Sequence, residues 1–361
     1  MQHLPPIDQL LRETVAASAS DLHLKVGLTP TLRINGDLVA SEHPTLRIED
    51  TEAYLQALIP DRLLVEFKEC LEADFAHGIE GHRFRVNAYR QRGTVTIAIR
   101  SLLPPPGDFA GLGLPPVLDT LVAEPRGLIL VTGPTGSGKT TTLAAMVDAI
   151  NRTRRVNVIT VEDPIEVVHD DRMAMISQRE VGVDTGGFSE ALRRVLRQDP
   201  DVIVIGEMRD AITVESALQA AETGHLVLSS LHTLDAAETI NRILDFFPAE
   251  GQRQVRLLLA GSLRGVLSQR LIPADDGRGR VPAVEVLVNT DRVAERISDP
   301  ARTHEIIDVI TDGSYYGMET FDQAILRLVG AGAITLEQAL RHATSPADVK
   351  LRAQQMGLIE T

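Results

Sequence analysis

Through the first hundred residues the apolar positions mostly alternate with polar ones. Leu22, Leu24 and Val26 share one side of an extended stretch, and Leu32-Arg-Ile34-Asn35-Gly36-Asp-Leu38-Val39 repeats the alternation around an Asn-Gly pair, a hairpin signal. From Thr51 to Leu71 the spacing turns helical (Ala53, Leu55, Leu58, then Leu63, Leu64, Phe67, Leu71), and Pro60 divides it into two helices. Alternation returns at Phe84, Val86, Ala88 and at Val95, Ile97, Ile99, with Arg90 to Gly93 between them. These elements predict an α+β domain over 1–102. Leu103-Pro-Pro-Pro-Gly107 cannot join a ladder, so 103–117 is expected to be a linker and 118–361 a second domain.

In that second part apolar runs take turns with helical spacing. Leu128 to Val131, Val156 to Val161, Val202 to Ile205 and Leu226 to Leu231 read as strands, whereas Thr141 to Ile150, Ser189 to Arg197 and Ala211 to Thr223 read as helices. Alternating strand and helix implies an α/β fold whose sheet is largely parallel and covered on both faces. Asp210 and Gly224 are placed to cap the last helix. Beyond Pro248 helical patterns dominate, broken by a strand at Ala283 to Val288, with helix starts at Thr335-x-x-Gln338 and Ser345-Pro346-x-Asp348.

Composition narrows the function classes. A single cysteine, Cys70, leaves no disulfide framework and no C-x-x-C metal site, which fits a reducing, cytoplasmic setting. No run approaches the ~20 apolar residues of a membrane span, and Met1 to Leu11 lacks the layout of a secretion signal. A net charge of −14 disfavours wholesale nucleic-acid binding and points to protein partners.

The candidate chemistry centres on the strand–loop–helix at Gly127 to Ile150. Gly133, Gly138, Lys139 and Thr140 satisfy G-x-x-x-x-G-K-[ST]. In that loop, backbone N–H groups cradle nucleotide phosphates, the lysine reaches the β and γ oxygens and the hydroxyl serves Mg²⁺. The expected ATP contacts are therefore Gly133, Pro134, Thr135, Gly136, Ser137, Gly138, Lys139, Thr140 and Thr141. Two further apolar strands end in acids: Glu207 is assigned with Thr140 to Mg²⁺, and Glu162 to accepting a proton from the attacking water. His232 can bond the γ-phosphate at the carboxyl end of its strand. His225 lies near the other end of that strand, either contacting nucleotide or fixing a turn.

Five ordered stretches carry a resemblance: Gly133-Pro-Thr-Gly-Ser-Gly-Lys-Thr140, Thr160-Val-Glu-Asp-Pro-Ile-Glu166, Gln178-Arg-Glu-Val-Gly182, Gln198-Asp-Pro-Asp-Val202 with Gly206-Glu-Met-Arg-Asp210, and Ala221-Glu-Thr-Gly-His225 with Leu231-His-Thr233. They resemble the Walker A, Asp box, Walker B and His box of the secretion ATPase superfamily, most of all the PilT/PilU retraction ATPases of type IV pili. The resemblance implies a PAS-like N-terminal domain and a RecA-like C-terminal domain with nucleotide between them, a homohexamer, and rotation of one domain against the other. It implies a cytoplasmic motor at the inner-membrane pilus base, working on a membrane platform protein, with a related ATPase paralogue as a further candidate partner. Assembly and type II secretion relatives usually carry a four-cysteine zinc element that Cys70 alone cannot build, which favours retraction. Val293-Ala-Glu-Arg-Ile297, where retraction motors tend to carry Ala-Ile-Arg, looks more like the accessory PilU type.

Rival readings are an assembly or secretion ATPase of the same fold, a nucleotide-binding regulatory module without turnover, and a RecA-like nucleic-acid translocase; charge and the lack of Trp count against the last. A final expectation concerns the second hairpin. With a loop of about four residues, Phe84 would face Ile99, Val86 would face Ile97, and Arg83 would oppose Arg100 with Arg85 next along, so that an arriving anion would relieve the like charges. The resemblance agrees, since related ATPases use arginines of this region as activating fingers, and Arg85 and Arg100 are the candidates.

Overall fold

The computed structural model describes residues 4–34, 36–102, 104–277 and 279–358. Asn35 of the expected Asn-Gly turn and Leu103 at the head of the proline stretch lie outside the described residues. The chain divides into two compact units, Met1–Pro104 with Glu166–Val168, and Pro105–Ile165 with His169–Thr361.

The first unit contains α1 (Ile7–Ala16), β1 (Asp21–Lys25), β2 (Thr31–Ile34), β3 (Asp37–Ala40), α2 (Ile48–Leu58), α3 (Leu64–Cys70), β4 (Glu72–Ile79), β5 (His82–Gln91) and β6 (Thr94–Ser101). Its antiparallel sheet has the order β3-β2-β1-β6-β5-β4. Phe84, Val86, Ala88, Val95, Ile97 and Ile99 are all fully buried on one face of β5 and β6, packed with Leu10 and Leu11 of α1 and Leu55 and Leu58 of α2. Each large side chain so placed contributes roughly 1.5–3 kcal/mol relative to exposure.

The β5–β6 register corrects the expected one. Val86 pairs with Ile99, Ala88 with Ile97, and Arg85, not Arg83, stands opposite Arg100. The parity was right because both apolar sets must face one core, but the loop holds only Arg92 and Gly93. Both have positive φ, 53° and 78°, as a two-residue type I′ turn requires. The facing arginines are not left to each other either. Arg85 Nε lies 3.6 Å from Asp74 Oδ1, and Arg100 Nε donates to Asp21 Oδ1 at 2.9 Å. Neighbouring acids of the same sheet supply the anions that the expectation sought elsewhere.

The second unit contains α4 (Val117–Ala123), β7 (Gly127–Thr132), α5 (Lys139–Thr153), β8 (Asn157–Glu162), β9 (Met175–Glu180), α6 (Phe188–Val195), β10 (Val202–Ile205), α7 (Ala211–Glu222), β11 (Leu226–Leu231), α8 (Ala236–Asp245), α9 (Ala249–Ser262), β12 (Leu263–Pro273), β13 (Arg280–Val288), α10 (Asp291–Ser298), α11 (Ile306–Thr311), α12 (Phe321–Gly330), α13 (Leu336–His342) and α14 (Pro346–Gln355). Its sheet has the order β13-β12-β7-β11-β10-β8-β9 and is parallel except for the β12–β13 pair. Every residue of β7, β10 and β11 is buried, and separate apolar clusters cover the two faces, as continuous apolar strands demand. Two of the expected caps form, Asp210 Oδ1 accepting from Thr213 N at 2.8 Å and Thr335 Oγ1 from Gln338 N at 3.1 Å, whereas Ser345 precedes α14 without a side-chain cap bond and donates to Asp348 instead.

Six elements escaped the pattern, α1, β4, α4, β9, α8 and β12. β9 is an edge strand with mostly half-exposed residues. β12 continues from α9 with no turn residues between Ser262 and Leu263, so its apolar positions merge with the helical spacing before it. Gly265 allows β12 to lie against its neighbours, since a Cβ there would stand 3.1 Å from both Leu121 methyls and from the Leu287 carbonyl. The β5–β6 turn yields a test. Gly93→Ala, forced to keep a positive φ, should lose about 1 kcal/mol, read as a lower urea midpoint with unchanged slope. Gly107→Ala, with open space around it, should stay within ~0.5 kcal/mol.

Candidate nucleotide site

β7, β11, β10 and β8 run parallel and in register, Leu130 beside Ser229, Ser229 beside Ile205, Ile205 beside Val161. Their carboxyl ends therefore coincide, at the edge where ligands of open parallel sheets bind. The phosphate loop leaves β7 there. Gly133, Gly136 and Gly138 take φ values of 143°, 78° and 94°. At Gly133 a Cβ would stand 2.5 Å from the Gln269 carbonyl oxygen and from Ser137 Oγ. Only glycine lets β12 and the loop approach so closely. α5 begins at Lys139, so its unpaired N–H groups open on the loop.

Lys139 folds over this loop, Nζ donating to Gly133 O at 2.8 Å and Pro134 O at 3.0 Å. His232, just past β11, places Nδ1 3.5 Å from that ammonium and Nε2 3.2 Å from Glu207 Oε1. A neutral imidazole accepting at Nδ1 and donating from Nε2 satisfies both neighbours. Glu207 Oε2 also accepts from Arg209 at 2.8 Å. Burial opposes the Glu207 charge, but the Arg209 and His232 contacts outweigh it and hold its pKa below the ordinary value. Burial likewise pulls the Lys139 pKa down, against the pull of Glu207. Thr140 and Thr141 stand exposed at the start of α5.

The structure thus gathers Lys139, His232 and Glu207, and Glu162 lies on the neighbouring strand of the same edge, its Cα 3.4 Å from where a Cβ of Gly206, the residue before Glu207, would stand. Glu162 ends β8, three strand positions from β7, roughly 14 Å at sheet spacing. Its Oε1 accepts from Thr160 Oγ1 at 2.6 Å and Gln178 Nε2 at 3.0 Å. His225 lies at the opposite edge of the sheet, Nδ1 2.9 Å from the Ala220 carbonyl and 3.3 Å from Thr223 Oγ1, while its own carbonyl accepts from Gly127 N. A strand of six residues separates it from His232, roughly 20 Å. Within one chain His225 fixes the end of α7 and does not reach the phosphate loop, contrary to its assignment as a nucleotide contact. Arg85 and Arg100 belong to the first unit and are paired as described above.

Some of the site was missed. Arg209 and Gln178 sit inside motifs already noted, and that placement was the available signal; the structure adds the Arg209–Glu207 ion pair and the Gln178–Glu162 hydrogen bond. Gln269 had none, because it lies on the unrecognised β12. Its carbonyl lies against Gly133 and its Nε2 donates to Thr142 Oγ1 at 2.8 Å, while neighbouring Ser268 meets Thr132, Oγ to Oγ1, at 2.9 Å. β12 thus props the loop and the first turns of α5 from behind.

Comparison with known proteins decides the family. The Type II/IV secretion system protein family matches residues 84–341. PilT of Pseudomonas aeruginosa, described as a type IV pilus retraction ATPase, is 43% identical over 94% of this chain and 98% of its own. The chain belongs to the PilT/PilU family of secretion ATPases. PilU of the same organism is 39% identical over 95% of this chain and 90% of its own; the two values lie close together, and the PilU-like reading of Val293 to Ile297 gains nothing from them. A crystal structure of the pilus retraction motor PilT with bound ADP matches at 42% identity with a TM-score of 0.88, covering 96% of this chain and all of the other. More remote, the Legionella pneumophila ATPase DotB matches at 26% identity and a TM-score of 0.75 over 94% of this chain and 96% of its own. The expected α/β class, an N-terminal α+β domain before a RecA-like ATPase domain, is the fold of this family.

The close approach at Gly133 separates two loop glycines. Gly133→Ala must displace the backbone of β12 and should weaken nucleotide binding by about a hundredfold, whereas Gly136→Ala meets open space and suffers only positive-φ strain, about tenfold. Titration with a fluorescent ATP analogue checks both, and equal losses would show that the packing against Gln269 does not matter.

Proposed function

We propose that this protein is a cytoplasmic ATPase motor that, as a homohexamer at the inner-membrane base of a type IV pilus, hydrolyses ATP to retract the filament, acting on a membrane platform protein and alongside a related ATPase paralogue. The observation that carries the reading is the Lys139–His232–Glu207 constellation on a phosphate loop, in a chain matching a PilT over nearly its whole length.

In this reading the loop N–H groups of Gly133 to Thr141 and the N-terminus of α5 hold the phosphates of ATP, and Lys139 exchanges its two carbonyl partners for phosphate oxygens. Thr140 and the ionised Glu207 offer hard oxygen donors that suit Mg²⁺. Held by these two residues, Mg²⁺ would supply Lewis-acid stabilisation of the charge that develops in phosphoryl transfer. Glu162, held by Thr160 and Gln178, accepts the proton of the attacking water. His232, freed from Lys139 when phosphate binds, hydrogen-bonds the γ-phosphate and reports its loss. Arg85 and Arg100 meet the charge that develops in transfer. Arg85, at 3.6 Å from an exposed acid, leaves its partner easily, whereas Arg100 is bound to Asp21, which is buried and also faces Arg33.

Cells lacking the protein should extend pili but retract them slowly or not at all, and Lys139→Ala should fail to complement. In purified protein Lys139→Ala should abolish hydrolysis with the fold intact, and Glu162→Gln should bind ATP without cleaving it. Hydrolysis lost in Glu207→Gln but kept in Glu162→Gln would exchange the roles of the two acids. Arg85→Ala should lower kcat by about a hundredfold or more with little change in ATP affinity. Arg100→Ala should do the same and also lower the melting temperature, because it strips a partner from buried Asp21. Unchanged kcat in both would return these arginines to ordinary surface residues.

A further inference from the structure

Glu285 is a buried acid, 3% exposed, on β13. One carboxylate oxygen accepts from the N–H of Ala236, the first residue of α8, at 2.9 Å, and the N–H of Phe321, the first residue of α12, also donates to the group. A single side chain therefore closes the N-termini of two helices that are far apart in sequence. α8 is preceded by the short segment 232–235, which begins at His232 and is also held to its own helix: Leu234 N donates to Glu238, Glu238 N to Asp235, and Thr233 meets Thr239. α12 opens the C-terminal helical group. Its next residue, Asp322, accepts from the N–H groups of Thr344 and Ser345 ahead of α14, and the Arg270 guanidinium lies 3.8 Å from the ring centre of Phe321.

We infer that Glu285 is a positioning residue for His232: its carboxylate holds the first N–H of α8, thereby setting where His232 stands beside Lys139 and Glu207, and ties that segment to the α12–α14 helices. This rests on the role given to His232 above.

The charge state of Glu285 matters to this geometry, because an ionised carboxylate accepts from both N–H groups more strongly than a neutral acid does. Burial, with the neighbouring charge of Asp235 adding to it, raises the Glu285 pKa to about 7, against the pull of its two N–H donors and of Arg270. A cavity of about 510 Å³ beside it connects the group to solvent. The other titratable or charged groups facing this space are Asp322, His304, Asp348 and Arg352. Because the folded pKa lies above the ordinary value, the stability contribution of the protonated acid is complete at low pH and is lost as pH rises through about 7. Over that same range the link to α8 tightens.

The test is steady-state ATP hydrolysis by assembled protein from about pH 6 to 8, beside hydrogen exchange of the peptide spanning 232–240. Wild type should gain about tenfold in kcat with a midpoint near neutrality. Glu285→Gln, which keeps the shape and loses the charge, should hold a low kcat without that rise, leave the KM for ATP within about twofold, and exchange the Ala236 amide faster. His304→Asn, removing the other neutral-range candidate, should keep the wild-type profile. A wild-type kcat and pH profile in Glu285→Gln, unaltered exchange at Ala236, or loss of the pH rise in His304→Asn would each overturn the inference. Lys139→Ala distinguishes the two levels of failure: if it abolishes hydrolysis while Glu285→Gln behaves as wild type, only the inference falls, and if Lys139→Ala hydrolyses normally, the ATPase reading falls with it.

Discussion

The register of four parallel strands is the constraint on which the site depends. β7, β11, β10 and β8 end together because each continuous apolar run must be buried on both faces and paired along its whole length. Gly133, His232 and Glu207 leave their strands at one edge for that reason, although some hundred residues separate the first from the second. A slip of one position would turn side chains between faces whose clusters differ, and so is strongly excluded.

Around that edge the charges balance locally. Lys139 is held by two backbone carbonyls, His232 bridges it to Glu207, and Arg209 completes the neutralisation of the acid. Each contact is one that an incoming phosphate or metal can replace in kind, since the lysine only exchanges oxygen partners and the carboxylate only exchanges cations. Glu162 is differently held. Thr160 Oγ1 and Gln178 Nε2 both donate to its Oε1, which orients the carboxylate.

Rigidity behind the loop comes from elements without motifs. β12 presses its backbone against Gly133 and bonds α5 through Gln269, and β13, its hairpin partner, carries the buried Glu285 that closes α8 and α12. In the first unit the same economy appears in the sheet face that bears Arg85 and Arg100. Like charges stand opposite each other in the β5–β6 ladder, and Asp74 and Asp21 on adjoining strands compensate them. An arginine pair read along one hairpin looks unbalanced, whereas read across the sheet it is not.

Local order along the chain was enough to determine the phosphate loop, the apolar strands β7, β8, β10 and β11, the helices α5, α6 and α7 and the parity of the β5–β6 hairpin, because these rest on short-range periodicity and on residue types that a single conformation demands. It was enough to place Lys139, Glu207 and His232 at strand ends. What the tertiary structure alone decided concerns partners distant in sequence. The loop length of the second hairpin followed from which pairing fills the core, and a two-residue turn moved Arg85 opposite Arg100. β12 was invisible, since no turn residue separates it from α9, and with it Gln269 and the support of the phosphate loop. His225 and His232, so alike in the sequence, were divided by the direction of one strand, which sends one to the nucleotide edge and the other to the far end of the sheet. A pattern of period two or 3.6 specifies which way a side chain faces; only the assembled sheet specifies what it meets there.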